Sequence, residues 1–203
     1  MLTIWGRINS HNVKKVVWLA EEMGLTYDRR DVGGAFGMDE AYRALNPNAL
    51  IPTIEDEGFV LWESNSILRY LAANHGGEAF YPTDPKARAS VERWMDWSFT
   101  WADAIRPIFF QMVRTEADKR DTALVERSVA RAAGLSAILD DVLGRQEWLS
   151  GEAFGVGDIP VAAYVHTWFQ MPVERPSRPN LERWYAALQA RSPFRDVVMI
   201  PLS

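Results

Sequence analysis

The pair Glu63–Ser64 combines residue types and a position that suggest ligand binding. It follows a β-prone run and opens a predicted helix. The N-terminus of a helix offers unpaired N–H groups and a partial positive charge, which together attract a carboxylate. Ser64 can add a hydroxyl donor, and Glu63 can accept a hydrogen bond from a ligand ammonium. The alternative interpretation is ordinary helix capping with an acid in the first turn.

Two further segments carry groups that could face a ligand. Ile51–Pro52 opens a predicted strand after a turn, where proline is tolerated because it has no N–H for the sheet ladder. A cis bond would turn the backbone of Ile51 toward a ligand, although X–Pro bonds in general favour trans. Ser10 and Asn12 lie at the start of the first predicted helix, where N–H groups and the macrodipole favour an anion.

The absence of cysteine limits the chemistry that these residues can perform. It excludes disulfides, thiolate metal sites and a cysteine nucleophile. The three histidines, His11, His75 and His166, have no metal-ligand spacing, so we expect no metal site. The reaction must therefore use hydroxyl, amide, carboxylate or histidine groups, or a thiol supplied by a cosubstrate.

Composition and charge indicate an ordinary globular protein. The net charge of −5, from 22 basic and 27 acidic residues, argues against a nucleic-acid surface. No run of residues approaches the ~20 apolar positions that a membrane span needs. The opening residues place a short apolar stretch before basic ones, the reverse of a secretory signal. We therefore expect a cytoplasmic location.

The order of predicted elements divides the chain into two domains. Roughly the first 75 residues predict βαβαββα, and after a linker at 77–84 the periodicity predicts helices alone. The expected domains are 1–76 and 85–203. The predicted elements are strands at Leu2–Trp5, Thr26–Val32, Ile51–Ile54 and Phe59–Trp62, and helices at Val13–Met23, within Phe36–Ala44, and at Glu63–Ala73, Ala87–Val113, Ala123–Leu143, Val156–Phe169 and Pro179–Ala190.

Several of these motifs in this order resemble a known family. The segments Ser10–Asn12, Asn46–Pro52 and Trp62–Ile67 resemble the glutathione-binding domain of cytosolic glutathione transferases. Trp148–Ile159, Pro179–Leu181 and Trp184–Tyr185 resemble motifs of its helical domain, and WGRINSHNVKKV, WMDW and VVMIPLS are similar to a bacterial subgroup. The resemblance implies a thioredoxin-like α/β N-terminal domain followed by an all-α helical C-terminal domain.

The resemblance also implies roles for particular residues. Pro52 is expected to be cis, Ile51 to pair with the cysteinyl backbone of glutathione, and Glu63–Ser64 to bind the γ-glutamyl end. Glutathione is then the cosubstrate, a small electrophile is the acceptor, no metal is required and the protein is a homodimer.

The group that stabilises the glutathione thiolate remains open between two residues. A free thiol has a pKa near ~8.5, so an enzyme must stabilise the anion. Family members use tyrosine, serine, cysteine or asparagine, and here Trp5–Gly6–Arg7 stands where the tyrosine is found. Ser10 aligns with the serine type, although His11 replaces its usual proline, and Asn12 aligns with the asparagine type. Both stand as catalytic candidates, and one of them could instead be only the helix N-cap.

Other functions on the same scaffold also remain open. A glutathione-dependent peroxidase or disulfide reductase could use the same thiolate, and the fold also serves non-enzymatic binding proteins. The family pattern places the acceptor between the domains, where Trp97, Trp101, Ile105 and Phe109, with nearby Arg114, are a candidate wall. The alternative interpretation, which an aromatic stripe at this spacing more often fits, is packing in the core or against a second subunit.

Some supporting residues are expected to have simpler roles. His11 is expected to be an exposed turn residue, and Lys14 and Lys15 to be solvated. Gly155 is expected to cap the helix that contains Asp158, with a local distortion at Pro160 because proline removes a backbone bond.

Overall fold

A four-stranded mixed sheet forms the N-terminal part of the protein. The computed structural model describes the whole chain, Met1–Ser203. The strands are β1 (Leu2–Trp5), β2 (Tyr27–Arg30), β3 (Thr53–Asp56) and β4 (Phe59–Trp62), in the spatial order β2-β1-β3-β4. β1 is parallel to β2 and antiparallel to β3, and β3 is antiparallel to β4. Three helices accompany this sheet: α1 (His11–Glu22), α2 (Glu40–Leu45) and α3 (Ser64–Leu71).

Local sequence explains the main turns of this unit. The β3–β4 hairpin turns through Glu57 and Gly58, both with positive φ, as a two-residue hairpin of right-handed twist requires. Gly24, with φ 65°, follows the end of α1 and reverses the chain toward β2. The predicted strand and helix order is confirmed, with boundaries that differ by a few residues.

The remainder of the chain is helical. It contains α4 (Pro85–Phe109), α5 (Thr122–Leu143), α6 (Asp158–Gln170), α7 (Pro179–Gln189) and α8 (Ser192–Val197). Asp84 and Asp121 cap α4 and α5 by accepting backbone N–H bonds. The six-residue α8 was not predicted. None of the helices combines the length and the apolar character that a membrane crossing requires. The expected α/β domain followed by an all-α domain is confirmed.

One continuous core joins the sheet unit to the helices. In α6 every residue from Asp158 to Trp168 is buried, and α6 packs against α1 and α4. Trp18 of α1 is fully buried and contacts Phe154 and Phe194, which lie far away in the sequence. α1 also packs against α3 and α8, so helices from both parts of the chain cover it.

The N-terminus of α6 differs from the expectation at Gly155. The helix begins at Asp158, after Gly157, so Pro160 lies in the first turn, where no intrahelical N–H bond is lost. The expected distortion at Pro160 is therefore wrong. The carboxylate of Asp158 still accepts from the N–H of Gly155 (3.1 Å), as a capping box predicts.

Candidate active site

Five of the six predicted site residues line one cleft beside the sheet. Asn12, Ile51, Pro52, Glu63 and Ser64 share this cleft, whose lining is completed by Asn46, Asn48 and Leu50. Ser10 lines an adjacent cavity instead, and Asn12 belongs to the lining of both spaces. The structure thus places Asn12 at the junction of the cleft and the cavity.

A hydrogen-bonded loop supports the cleft around the Ile51–Pro52 peptide, which is cis. The side-chain nitrogen of Asn46 donates to the carbonyl of Leu50 (2.9 Å) and to the Thr53 hydroxyl (3.1 Å). The Tyr42 hydroxyl contacts the same two groups. Sequence reasoning recognised the turn at Asn46 and missed this supporting role, because its partners only become known from the fold.

The turn from β4 into α3 holds Glu63 in a sparsely populated conformation. Glu63 has φ 72°, which is unusual for a residue other than glycine, and its exposed side chain has no hydrogen-bond partner. Ser64, the first residue of α3, is buried. Strained backbone of this kind is commonly maintained at ligand sites. The carboxylate of Glu63, which has no hydrogen-bond partner, therefore lies next to the free N–H groups at the start of α3.

Ser10 and Asn12 occupy different positions at the start of α1. Ser10 is the N-cap residue by backbone conformation, but its side chain makes no capping bond, so the hydroxyl is not consumed by the helix. The Oδ1 atom of Asn12 accepts from Nζ of Lys15 (2.9 Å), one turn further along the helix. Because an ammonium only donates, this contact presents the Asn12 amide NH₂ away from Lys15.

The expectation that Lys14 and Lys15 are solvated is wrong. Their exposed fractions are 3% and 1%, because the middle of α1 is covered on both sides. Nζ of Lys14 donates to the carbonyl of Val198 (3.0 Å). Burial lowers the pKa of Lys14 to about 8. Burial, with a smaller contribution from nearby Arg106, lowers the pKa of Lys15 to about 7, and Glu63 opposes that change.

His11 is also not the exposed turn residue that was expected. Its ring stacks on Tyr164 with 4.5 Å between centroids, and Nε2 lies 2.6 Å from the Thr167 hydroxyl. Burial, together with the nearby charges of Lys14 and Lys15, lowers the pKa of His11 to about 3. The imidazole is therefore neutral at physiological pH, and it forms part of the packing between α1 and α6.

The cavity next to the cleft has aromatic and basic walls. Its volume is about 180 Å³, and its lining residues are Arg7, Asn9, Ser10, His11, Asn12, Ile105, Arg106, Phe109, Phe110, Arg114 and Tyr164. Of the wall expected from sequence, Ile105, Phe109 and Arg114 line this cavity. Trp101 is instead buried against Trp168, and Trp97 lies in a groove between α4 and α5. α4 is long enough for one apolar stripe to contact different neighbours along its length.

No group of three or more histidine, cysteine, aspartate or glutamate side chains is arranged to hold a metal ion. The polar side chains that line the two spaces are amides, hydroxyls, arginines, the imidazole of His11 and the carboxylate of Glu63. The arginines, amides and hydroxyls are suited to binding anions and to donating hydrogen bonds, and Glu63 can accept from a cationic group.

Family models match both parts of the chain. The N-terminal domain model of glutathione S-transferases matches residues 9–74, and the C-terminal domain model matches residues 98–192. The first match includes every lining residue of the cleft described above, and the second includes the α4 residues of the cavity wall.

Full-length relatives give the same assignment. The chain is 43% identical to glutathione S-transferase GstB of Escherichia coli (strain K12), with 100% of both proteins covered. It is 26% identical to glutathione S-transferase D6 of Drosophila melanogaster over 96% of this chain and 90% of that protein. The theta class glutathione S-transferase of Xanthomonas axonopodis pv. citri, solved with glutathione bound, has a TM-score of 0.95 at 47% identity, covering 100% and 99% of the two chains. The chain therefore belongs to the glutathione S-transferase family.

Proposed function

We propose that this protein binds glutathione, stabilises its thiolate and transfers it to a small electrophile. The observation that carries this proposal is the position of Asn12, which lines both the Ile51–Ser64 cleft and the aromatic cavity. A thiol that lies beside Asn12 faces an acceptor in the cavity. Such proximity converts a bimolecular encounter into a reaction between positioned groups.

In this proposal the cleft binds glutathione through its γ-glutamyl end and its cysteinyl backbone. Ser64 and the free N–H groups of α3 bind the γ-glutamyl carboxylate, and Glu63 accepts from the γ-glutamyl ammonium. The backbone of Ile51 pairs with the cysteinyl residue. Glutathione bound to the Xanthomonas relative supports the same cosubstrate here.

We further propose that Asn12 is the main donor to the thiolate and that Ser10 assists it. Lys15 supports this assignment, because its Nζ donates to the amide oxygen of Asn12 and leaves the NH₂ group free. The thiol proton leaves to solvent, the thiolate sulfur attacks the acceptor carbon, and the leaving group departs with its electron pair. Lys15 is a positioning residue, since it acts through Asn12.

An assay with several acceptors tests the reaction class. An activated aryl halide is expected to be conjugated in the presence of glutathione far faster than without protein. Because an Asn12-stabilised thiolate also serves a peroxidase or disulfide reductase, a peroxide and a disulfide belong in the same panel. Turnover of only those two substrates would replace conjugation with the reductive function, and no turnover of any acceptor would refute the enzyme proposal.

Substitution of Glu63 tests the proposed γ-glutamyl site. Glu63→Ala should weaken glutathione binding by about 1–3 kcal/mol, because a charge-assisted hydrogen bond to the ammonium is lost. Isothermal titration calorimetry measures the change, and Glu152→Ala, at an exposed loop acid, is the control. Wild-type affinity in a folded Glu63→Ala protein would remove this role.

We propose a cytoplasmic homodimer in which part of Ala87–Leu143 is buried. Large exposed apolar side chains support an interface: Phe99 and Ile138 are 50% and 45% exposed, and a groove between α4 and α5 is lined by Trp94, Trp97, Ile138 and Val142. A cytoplasmic location gives access to the reduced glutathione pool and fits a detoxification role. The same proposal retains domains at 1–76 and 85–203 with a linker at 77–84.

Light scattering at micromolar concentration tests the dimer. The wild-type particle should have twice the chain mass of 23.1 kDa. Ile138→Asp should shift it toward the single-chain mass, because a charge would be buried without a partner. A wild-type particle of 23.1 kDa would contradict the proposal.

A further inference from the structure

The aromatic cavity next to Asn12 is strongly basic in a protein that is acidic overall. Three arginines line it, Arg7, Arg106 and Arg114, and no aspartate or glutamate does. The chain as a whole carries a net charge of −5. His11, the one histidine in the lining, is neutral and adds no charge to the cavity. The local excess of positive charge therefore belongs to the cavity and not to the protein in general.

None of the three arginines is held in a buried ion pair with an acidic side chain. Neither Arg7 nor Arg114 forms a salt bridge with an acidic side chain, and Arg106 makes one with Asp103 at 3.4 Å, in which both side chains are more than half exposed. Exposed pairs of this kind are weak. Arg7 donates to the side chain of Asn9, and Arg114 donates to a terminal carboxylate oxygen of Ser203, the last residue of the chain (2.6 Å). Arg114 thus already binds an oxygen acceptor at this place.

The surrounding walls are flat and apolar. The guanidinium of Arg114 lies over the rings of Phe109 and Phe110, 5.2 and 5.4 Å from their centroids. Ile105 and Tyr164 are buried beside them. A guanidinium that stacks on an aromatic ring keeps its N–H groups pointing outward in its own plane, where they can bind a carboxylate or a similar anion. The cavity therefore combines a surface for a planar body with donors for a negative group.

We propose that the acceptor is an anionic electrophile, with a carboxylate or similar group carried on an aromatic or other flat apolar body. Arg106 and Arg114 bind the anion, and Ile105, Phe109 and Phe110 contact the body. The proposal rests on the proposed function, since it identifies the chemical class that the thiolate beside Asn12 attacks.

A matched pair of aryl chlorides defines the reaction: 4-chloro-3,5-dinitrobenzoate and its neutral amide, 4-chloro-3,5-dinitrobenzamide. The thiol proton passes to water, and the thiolate sulfur forms a bond to the carbon that bears chlorine. The C–Cl bond then breaks, and chloride leaves with the electron pair. Both compounds undergo the same substitution, but the amide is intrinsically more reactive because it withdraws electrons more strongly than the carboxylate. Each rate in the protein is therefore divided by the rate of the same compound with glutathione alone, and a difference between these ratios reports recognition of the carboxylate.

Binding of unreactive analogues tests the inference without any turnover. With saturating S-methylglutathione, calorimetry should show 3,5-dinitrobenzoate bound about tenfold more tightly than 3,5-dinitrobenzamide, since two charge-assisted contacts are added at partly screened positions. The variant Arg106→Gln with Arg114→Gln should abolish that preference and leave benzamide binding within about twofold of wild type. Arg145→Gln, at an exposed arginine outside the cavity, should preserve the preference.

Three results would overturn the inference. They are equal affinity for the two analogues, a preference that survives the double substitution, or a loss of S-methylglutathione affinity in the double variant as large as its loss of benzoate affinity. The last result would mean that the arginines bind the carboxylates of glutathione itself. If the double variant fails to fold, the single variants carry the same test, each with a loss of about threefold. Turnover of the neutral aryl chloride by wild type without any benzoate preference would leave the proposed function intact and remove only this inference.

Discussion

Replacing Asp158 with alanine should lower the free energy of unfolding by about 3–5 kcal/mol, the cost of removing one partner from a buried charged network. The carboxylate is fully buried and accepts from the backbone N–H groups of Leu149 (2.8 Å) and Gly155 (3.1 Å) and from Nε1 of Trp184 (2.9 Å). Each of these buried donors would lose its acceptor. Chemical denaturation monitored by tryptophan fluorescence measures the change.

Asp141 is the matched control for this substitution. It is an exposed acid on α5 that pairs with Arg145 at the surface, so Asp141→Ala should change the unfolding free energy by less than about 0.5 kcal/mol. If Asp158→Ala unfolds within about 1 kcal/mol of wild type, the network does not stabilise the start of α6 as described.

Replacing Asn12 with alanine should lower the rate of glutathione conjugation by a factor on the order of ten to a hundred. A hydrogen bond to a charged acceptor contributes about 1.5–3 kcal/mol, which corresponds to that range of rates. The loss should shrink at high pH, because glutathione then arrives already ionised. Steady-state rates with an activated aryl chloride measure it, and glutathione affinity should change much less than kcat.

The variant Lys15→Met tests whether Lys15 acts by holding the side-chain amide of Asn12 in place. Methionine fills a similar apolar volume, but it cannot fix the amide of Asn12, so the rate should fall by roughly tenfold or less. In a protein that already carries Asn12→Ala, the same lysine substitution should have little further effect, because the group through which it acts is absent. Equal losses in both backgrounds would show that Lys15 acts on the thiolate independently of Asn12.

Local patterns in the sequence were sufficient for most of the fold. Helical spacing, the hairpin turn at Glu57–Gly58 and the capping residues depend on near neighbours, and the structure follows them closely. α8 was missed because six residues that begin Ser192–Pro193 resemble a turn when read alone. Its position depends on the burial of Phe194 against α1, a contact with Trp18 that no local pattern contains.

The candidate site was predictable in its residues and less so in its surroundings. Glu63, Ser64, Ile51 and Pro52 stand in recognisable motifs, and the fold places them in one cleft with Asn12. Lys15 was misjudged because lysine is usually solvated, and its partner is supplied by the tertiary burial of α1. The spacing of three residues from Asn12 on a helix was the available signal for that contact.

The acidity of the bound glutathione thiol tests the central claim most directly. Thiolate absorbance in the ultraviolet, followed against pH at saturating glutathione, gives its pKa in wild type, Ser10→Ala and Asn12→Ala. We expect the wild-type value to lie below the free-thiol value of about 8.5, and Asn12→Ala to raise it by about 1–2 units, more than Ser10→Ala does. An unchanged pKa in Asn12→Ala would contradict the account and would place the activating group elsewhere, at Ser10, Arg7 or the backbone of α1.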